Sequence, residues 1–145
     1  MQYSRTNQGF TLLEIMVVIV ILGLLASMVV PNLMGNKEQA DTQKAVSDIT
    51  ALENSLDMYK LNNRRYPTTE QGLAALVEQP SAEPIPRNYP DKGYIRRLPT
   101  DPWGNDYLYE SPGQHEKRDV YSMGPDMEAQ TEDDIGNWNL ADYQN

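Results

Sequence analysis

One feature constrains this chain before any other. From Phe10 to Val30 the sequence is almost wholly apolar, and Glu14 is its single ionisable side chain. A helix over this run, at ~1.5 Å per residue, would be roughly 31 Å long, close to the ~30 Å hydrocarbon core of a bilayer. The run therefore predicts a membrane-spanning helix over residues 10–31, with one acid to be explained. A carboxylate at mid-depth costs on the order of 2.5–3.5 kcal/mol on insertion scales, so it implies a function and a partner unless it lies shallow enough to reach the headgroups.

Residues 1–9 are a short polar leader with one charge, Arg5, ending in Gly9. A secretory signal is cut after its apolar stretch, at small residues. Here the small residue comes before the stretch, so a cut between Gly9 and Phe10 would leave the helix on the mature chain and create a new Phe10 amine. That amine and the Glu14 carboxylate are oppositely charged, and Glu14 also sits near the positive end of its own helix dipole. In a bundle of staggered chains, the amine of one can neutralise the acid of the next.

Gly9-Phe10-Thr11-Leu12-Leu13-Glu14, directly before a long apolar run, resembles the processing site of type IV pilins and of the pseudopilins of type II secretion systems. The resemblance implies cleavage after Gly9 by a prepilin peptidase and methylation of the new N-terminus to N-methylphenylalanine. It also implies an assembly role for Glu14 together with Phe10.

With leader and apolar helix set aside, residues 32–145 leave room for one small domain. The chain has no cysteine, so the usual disulfide staple of a small exported domain is absent and a metal becomes worth seeking. A net charge of −9, with Arg64-Arg65 and Arg96-Arg97 as the densest basic pairs, argues against a nucleic-acid partner.

Pro31 either kinks the first helix or ends it. From Asn36 to about Leu61 a helical period follows. Ala45, Ile49, Leu52, Leu56 and Tyr59 form one apolar face, and Lys44 and Asp48 make a favourable pair on the solvated side. Asn62-Asn63 is a stop signal. Thr68 and Gln71 read as a capping box that opens a short helix through Glu78, ended by Pro80, with Leu73, Leu76 and Val77 buried. Four prolines between Gln79 and Pro90 make that stretch an irregular connector. Residues 106–109 and 120–123 read as an antiparallel hairpin with a long loop, in which His115 is expected to be a solvated bystander.

Five acids, Asp126, Glu128, Glu132, Asp133 and Asp134, fall within residues 126–134. This reads as a solvated acidic loop, or as hard oxygen donors suited to Ca²⁺. An EF-hand is excluded, because Thr131 and Asn137 stand where that loop needs Gly and Glu.

The stretches from Tyr66 to Leu73, Leu98 to Asn105 and Asp134 to Trp138 resemble the major pseudopilin (G subunit) family of type II secretion, so that the likeness covers nearly the whole chain. It implies an α+β, pilin-like fold: a long N-terminal α-helix, membrane-spanning in its first half, packed on a small antiparallel β-sheet head. It implies a calcium ion in the acidic loop, with side-chain oxygens from Asp126 and Asp134. Backbone carbonyls would come from Met123, Glu128 and Thr131, with Asp133 a lesser candidate. Many relatives carry Gly after the first Asp, whereas here Met127 follows and no Gly lies between Asp126 and Asp134. Left-handed backbone there would fall to non-glycine residues.

The implied function is structural: a homo-oligomer forming the periplasmic pseudopilus that drives export of folded proteins across the outer membrane. Its partners would be minor pseudopilins and the inner-membrane assembly platform. The implied location is a single-pass inner-membrane protein with its head in the periplasm. A type IV pilus pilin shares the N-terminus but commonly closes a C-terminal loop with a disulfide, impossible here; a minor pseudopilin is the nearer alternative. An enzyme finds no support, with no Cys, one loop His and no Gly-rich phosphate loop.

Overall fold

The computed structural model describes residues 10–143, and for residues 28–34 the backbone alone. The leader and the Gly9 side of the expected cut lie outside the described residues. The chain divides into two compact units, Met1–Glu38 and Gln39–Asn145.

Helix α1, Leu12–Asn63, contributes to both units, and its backbone stays helical through Pro31. In the N-terminal unit Thr11 caps it, the Thr11 hydroxyl accepting the Glu14 N–H at 3.2 Å. Thr11-x-x-Glu14 is the spacing of a capping box, so the stretch that resembles a processing motif also starts the helix. The expectation of a membrane-spanning first half is corrected here: among the described residues, no helix is long and apolar enough to cross a membrane. Apolar helical side chains are described over residues 12–27, roughly 24 Å at ~1.5 Å per residue, short of the ~30 Å required. The single-pass inner-membrane placement falls with it.

In the second unit the apolar face of α1 becomes the core. Ala45, Ile49, Leu52, Leu56 and Tyr59 are all buried, and Lys44 meets Asp48 at 2.6 Å on the outer side. The helix stops at Asn63 because Arg64 turns to φ 62°, its N–H bonding back to the Lys60 carbonyl. The Thr68–Gln71 box forms reciprocally, with Thr68 N–H on Gln71 Oε1 at 3.1 Å and Gln71 N–H on Thr68 Oγ1 at 3.2 Å. The helix expected to follow is only a 3-10 turn, Leu73–Leu76, since Gly72 at φ 58°, ψ −167° breaks the path between box and helix. Leu73 and Leu76 are buried as expected, while Val77 is half-buried.

The sheet is β1 (Leu108–Glu110), β2 (Asp119–Ser122) and β3 (Ile135–Gly136), antiparallel in the order β1-β2-β3. Leu108 pairs with Tyr121 and Tyr109 with Val120, which confirms the hairpin; Ser122 pairs with Ile135 on the other side. Val120, Tyr109 and Ile135 pack with the α1 face, and a second 3-10 turn, Leu140–Tyr143, closes the described chain.

Candidate functional site

Two regions of the molecule present chemistry that the fold itself does not use up. The first is the start of α1. Phe10, Leu12, Leu13, Ile15, Met16, Val17 and the apolar residues on to Leu25 are all exposed, Leu12 by 80 % and even the least, Ile15, by 45 %. A helix that is apolar on every side is stable only when something else covers it. Glu14 lies in its first turn, fully on this exposed surface.

The second region is the loop between β2 and β3. Gly124 (φ 66°) fixes its mouth, because a Cβ there would run into the Asp133 carbonyl. Met127 and Gln130 take φ 61° and 69°, so the left-handed turns are made by non-glycine residues, at a cost of ~1–2 kcal/mol each. The loop's carboxylates close it upon itself. Asp126 Oδ1 accepts the Glu128 N–H at 2.8 Å, Asp133 Oδ2 the Asp126 N–H at 3.2 Å, and Asp134 Oδ2 the Gln130 N–H at 2.8 Å. Thr131 Oγ1 bonds Asp133 Oδ1 at 2.7 Å and the Glu128 carbonyl at 3.2 Å. Burial pushes the Asp134 carboxyl up, while the Thr131 hydroxyl and the Asp126 N–H hold Asp133 down.

Among the described residues, no group of three or more His, Cys, Asp or Glu stands together to hold a metal, so the acidic run does not by itself make a metal cluster. The reason is geometric, since Asp126, Asp133 and Asp134 are each turned toward a loop N–H. The oxygens named for calcium do share one short loop. Asp126, Glu128, Thr131 and Asp133 are linked by the bonds above, the Thr131 hydroxyl also reaches Asp134 Oδ1 at 3.5 Å, and Met123 leads into the loop from the end of β2.

Sequence reading missed the carboxylates that organise the head. Asp119 is buried and accepts the N–H groups of Gln114, His115 and Glu116 at 2.6, 3.0 and 2.9 Å, which folds the β1–β2 loop around it. Burial alone would raise this carboxyl; the backbone donors hold it below its ordinary value. His115 is no bystander: its Nδ1 lies 3.2 Å from Asp119, and its ring stacks on Trp138 at 4.0 Å. Asp101, also buried, takes the Trp103 and Asn105 N–H groups and the Ser122 hydroxyl. Arg118 joins Glu53, Asp57 and Tyr66, tying the start of β2 to α1.

The capped, uncovered apolar helix and the small antiparallel head define a pilin-like subunit, and a family model for the prokaryotic N-terminal methylation motif matches residues 4–30. A second model, type II secretion system (T2SS), protein G, matches residues 32–138. The chain is 73% identical over 141 residues to the type II secretion system core protein G of Aeromonas hydrophila, covering 97% of this chain and 99% of that one. It is 65% identical to the Escherichia coli K12 protein of the same name, over 97% of both chains. The crystal structure of the major pseudopilin from the type 2 secretion system of enterohaemorrhagic Escherichia coli superposes with a TM-score of 0.70 at 64% identity, covering 77% of this chain and 97% of that one. The chain belongs to the type II secretion system protein G family. It is a structural subunit of the pseudopilus and not an enzyme, and it works in an oligomeric assembly with other components of that system.

Proposed function

We propose that copies of this chain polymerise by burying the start of α1 against one another, after a cut between Gly9 and Phe10, and that the growing pseudopilus drives export of folded proteins across the outer membrane. The observation that carries this reading is the exposure of every apolar side chain described from Phe10 to Leu25. Area removed from water is worth ~25 cal/mol per Å², and nothing in the second unit's core draws on these residues. Glu14 is the one charge on that surface, and the freed Phe10 amine of a neighbouring copy neutralises it and sets the axial register. A head-to-tail contact that does not close gives a helical filament. Prepilin peptidase cuts and methylates the chain, and minor pseudopilins and the assembly platform are its partners in building the filament. Measuring the mass of subunits recovered from pseudopili tests this: loss of residues 1–9 with one added methyl is expected, and an intact Met1 overturns it.

The β2–β3 loop fits a calcium ion by its donor chemistry. Asp126 and Asp134 supply carboxylate oxygens, Met123, Glu128 and Thr131 carbonyls, and Asp133 stands by. All are hard oxygens, the ligands Ca²⁺ takes. Asp134 is a buried acid with a raised pKa and no cationic partner among the described residues, the kind of group a cation stabilises. A bound ion supplies positive charge to crowded carboxylates; the chain's own contribution is a loop already bent by Met127 and Gln130.

A further inference from the structure

At the far end of the head, three arginines meet on a chain whose net charge is −9. Arg64, Arg65 and Arg87 line a recess of about 460 Å³ together with Asn62, Asn63 and Asn88, and no acidic residue lines it. Its walls are built. Arg65 Nη2 donates to the Pro84 and Ile85 carbonyls at 3.1 and 3.4 Å. Asn88 donates its backbone N–H to Asn63 Oδ1 and its Nδ2 to the Asn62 carbonyl, both at 3.3 Å. The Arg64 and Arg87 side chains, by contrast, have no polar partner among the described residues. A cation at the C-terminus of α1 answers the helix dipole, which accounts for Arg64. It does not account for Arg87, which arrives from the proline-rich connector to face the same space.

The opposite charge lies at the other end of the same unit. Arg118, at the start of β2, reaches Glu53 and Asp57 of α1. Ser122, at the end of β2, reaches Asp101, and the adjoining Thr100 carbonyl takes Lys44 Nζ at 2.9 Å. So β2 runs back along α1 toward residues 44–48, and the acidic loop continues past that end, while the arginine recess sits at residues 62–65. Between residues 44 and 63 the helix rises roughly 28 Å. Within the loop Glu128 and Glu132 are exposed, and neither carboxylate has a polar partner among the described residues.

We propose that the recess of Arg64, Arg65 and Arg87 receives the Glu128 and Glu132 carboxylates of a second copy, end to end. Guanidinium groups are suited to carboxylates because their paired N–H donors match the two oxygens. A basic socket at one end and an acidic plug at the other make a heterologous contact, which propagates instead of closing. Such a contact fixes register and selects like subunits, and it weakens with salt. This rests on the polymerisation proposed above and names a surface that carries it outside the apolar helix. Asp126 and Asp134 take no part in this contact, since only the two glutamates enter it.

The full-length chain, which has no cysteine of its own, allows a direct test. A chain carrying both Arg87→Cys and Glu132→Cys is oxidised within assembled pseudopili, where a ladder of disulfide-linked multimers is expected, with none from either single variant. In parallel, Arg64→Glu with Arg87→Glu should lower pseudopilus yield several-fold, and adding Glu128→Arg with Glu132→Arg should restore it. Thermal unfolding of the same variants identifies any loss caused by misfolding, in which case the cysteine pair decides. Normal pseudopili without cross-links, or a charge reversal without effect on yield, would overturn this contact alone. Failure of the unaltered chain to polymerise would instead overturn the reading beneath it.

Discussion

Three backbone N–H groups converge on the Asp119 side chain from consecutive residues of the β1–β2 loop, so the carboxylate replaces the strand partners those residues lack. A buried donor left without its acceptor costs ~1–3 kcal/mol; Asp119→Ala is expected to destabilise the head by about 2 kcal/mol in urea unfolding. The carboxyl is held below its ordinary 3.8, so its contribution is complete above that pH and is lost as pH falls through the lower folded value. Unfolding followed from pH 7 downward should show this loss below about pH 4 in the parent chain and not in Asp119→Asn. None of it is visible in the string Arg118-Asp119-Val120, because the partners are defined only once the loop has folded back. His115 was misread for the same reason: stacking on Trp138 is a tertiary fact. The opposite holds for Thr68 and Gln71, whose three-residue spacing is itself the contact, and Thr68→Ala should cost about 1 kcal/mol.

Among the elements, the core half of α1 is the most legible. Side chains three and four apart share a helix face, and Ala45, Ile49, Leu52, Leu56 and Tyr59 are buried as that period requires. Leu56→Ala should cost ~2–5 kcal/mol in the same unfolding measurement, since Leu56 is wholly buried. The hairpin was legible too, from its alternating tyrosines, whereas β3 is two residues long and carries no period to read. The segment after the capping box failed in an instructive way. The apolar spacing of Leu73 and Leu76 suits an α-helix, but the backbone at Gly72 leaves only a 3-10 turn. In the β2–β3 loop the acids were legible as donors, but not their turning onto loop N–H groups. If calcium holds this element, a chelator should lower the thermal midpoint of the full chain, and added calcium should restore it. A midpoint indifferent to both would remove calcium from the account.

For the molecule as a whole, the chain keeps one apolar surface in its head and leaves another uncovered. Sequence alone identified the uncovered one, because an apolar run interrupted by one acid is plain without coordinates. Its assignment to a membrane rested on the full run from Phe10 to Val30, longer than the apolar helix described here. What remains is an uncovered apolar helix with Glu14 as its single charge, and under the proposed assembly its burial comes from other copies. The most direct measurement is therefore pseudopilus yield from chains carrying Glu14→Leu, alongside confirmation that the leader has been removed. The account predicts cleaved subunits that assemble several-fold less well than the parent, and pseudopili formed in normal number by the cleaved Glu14→Leu chain would contradict it.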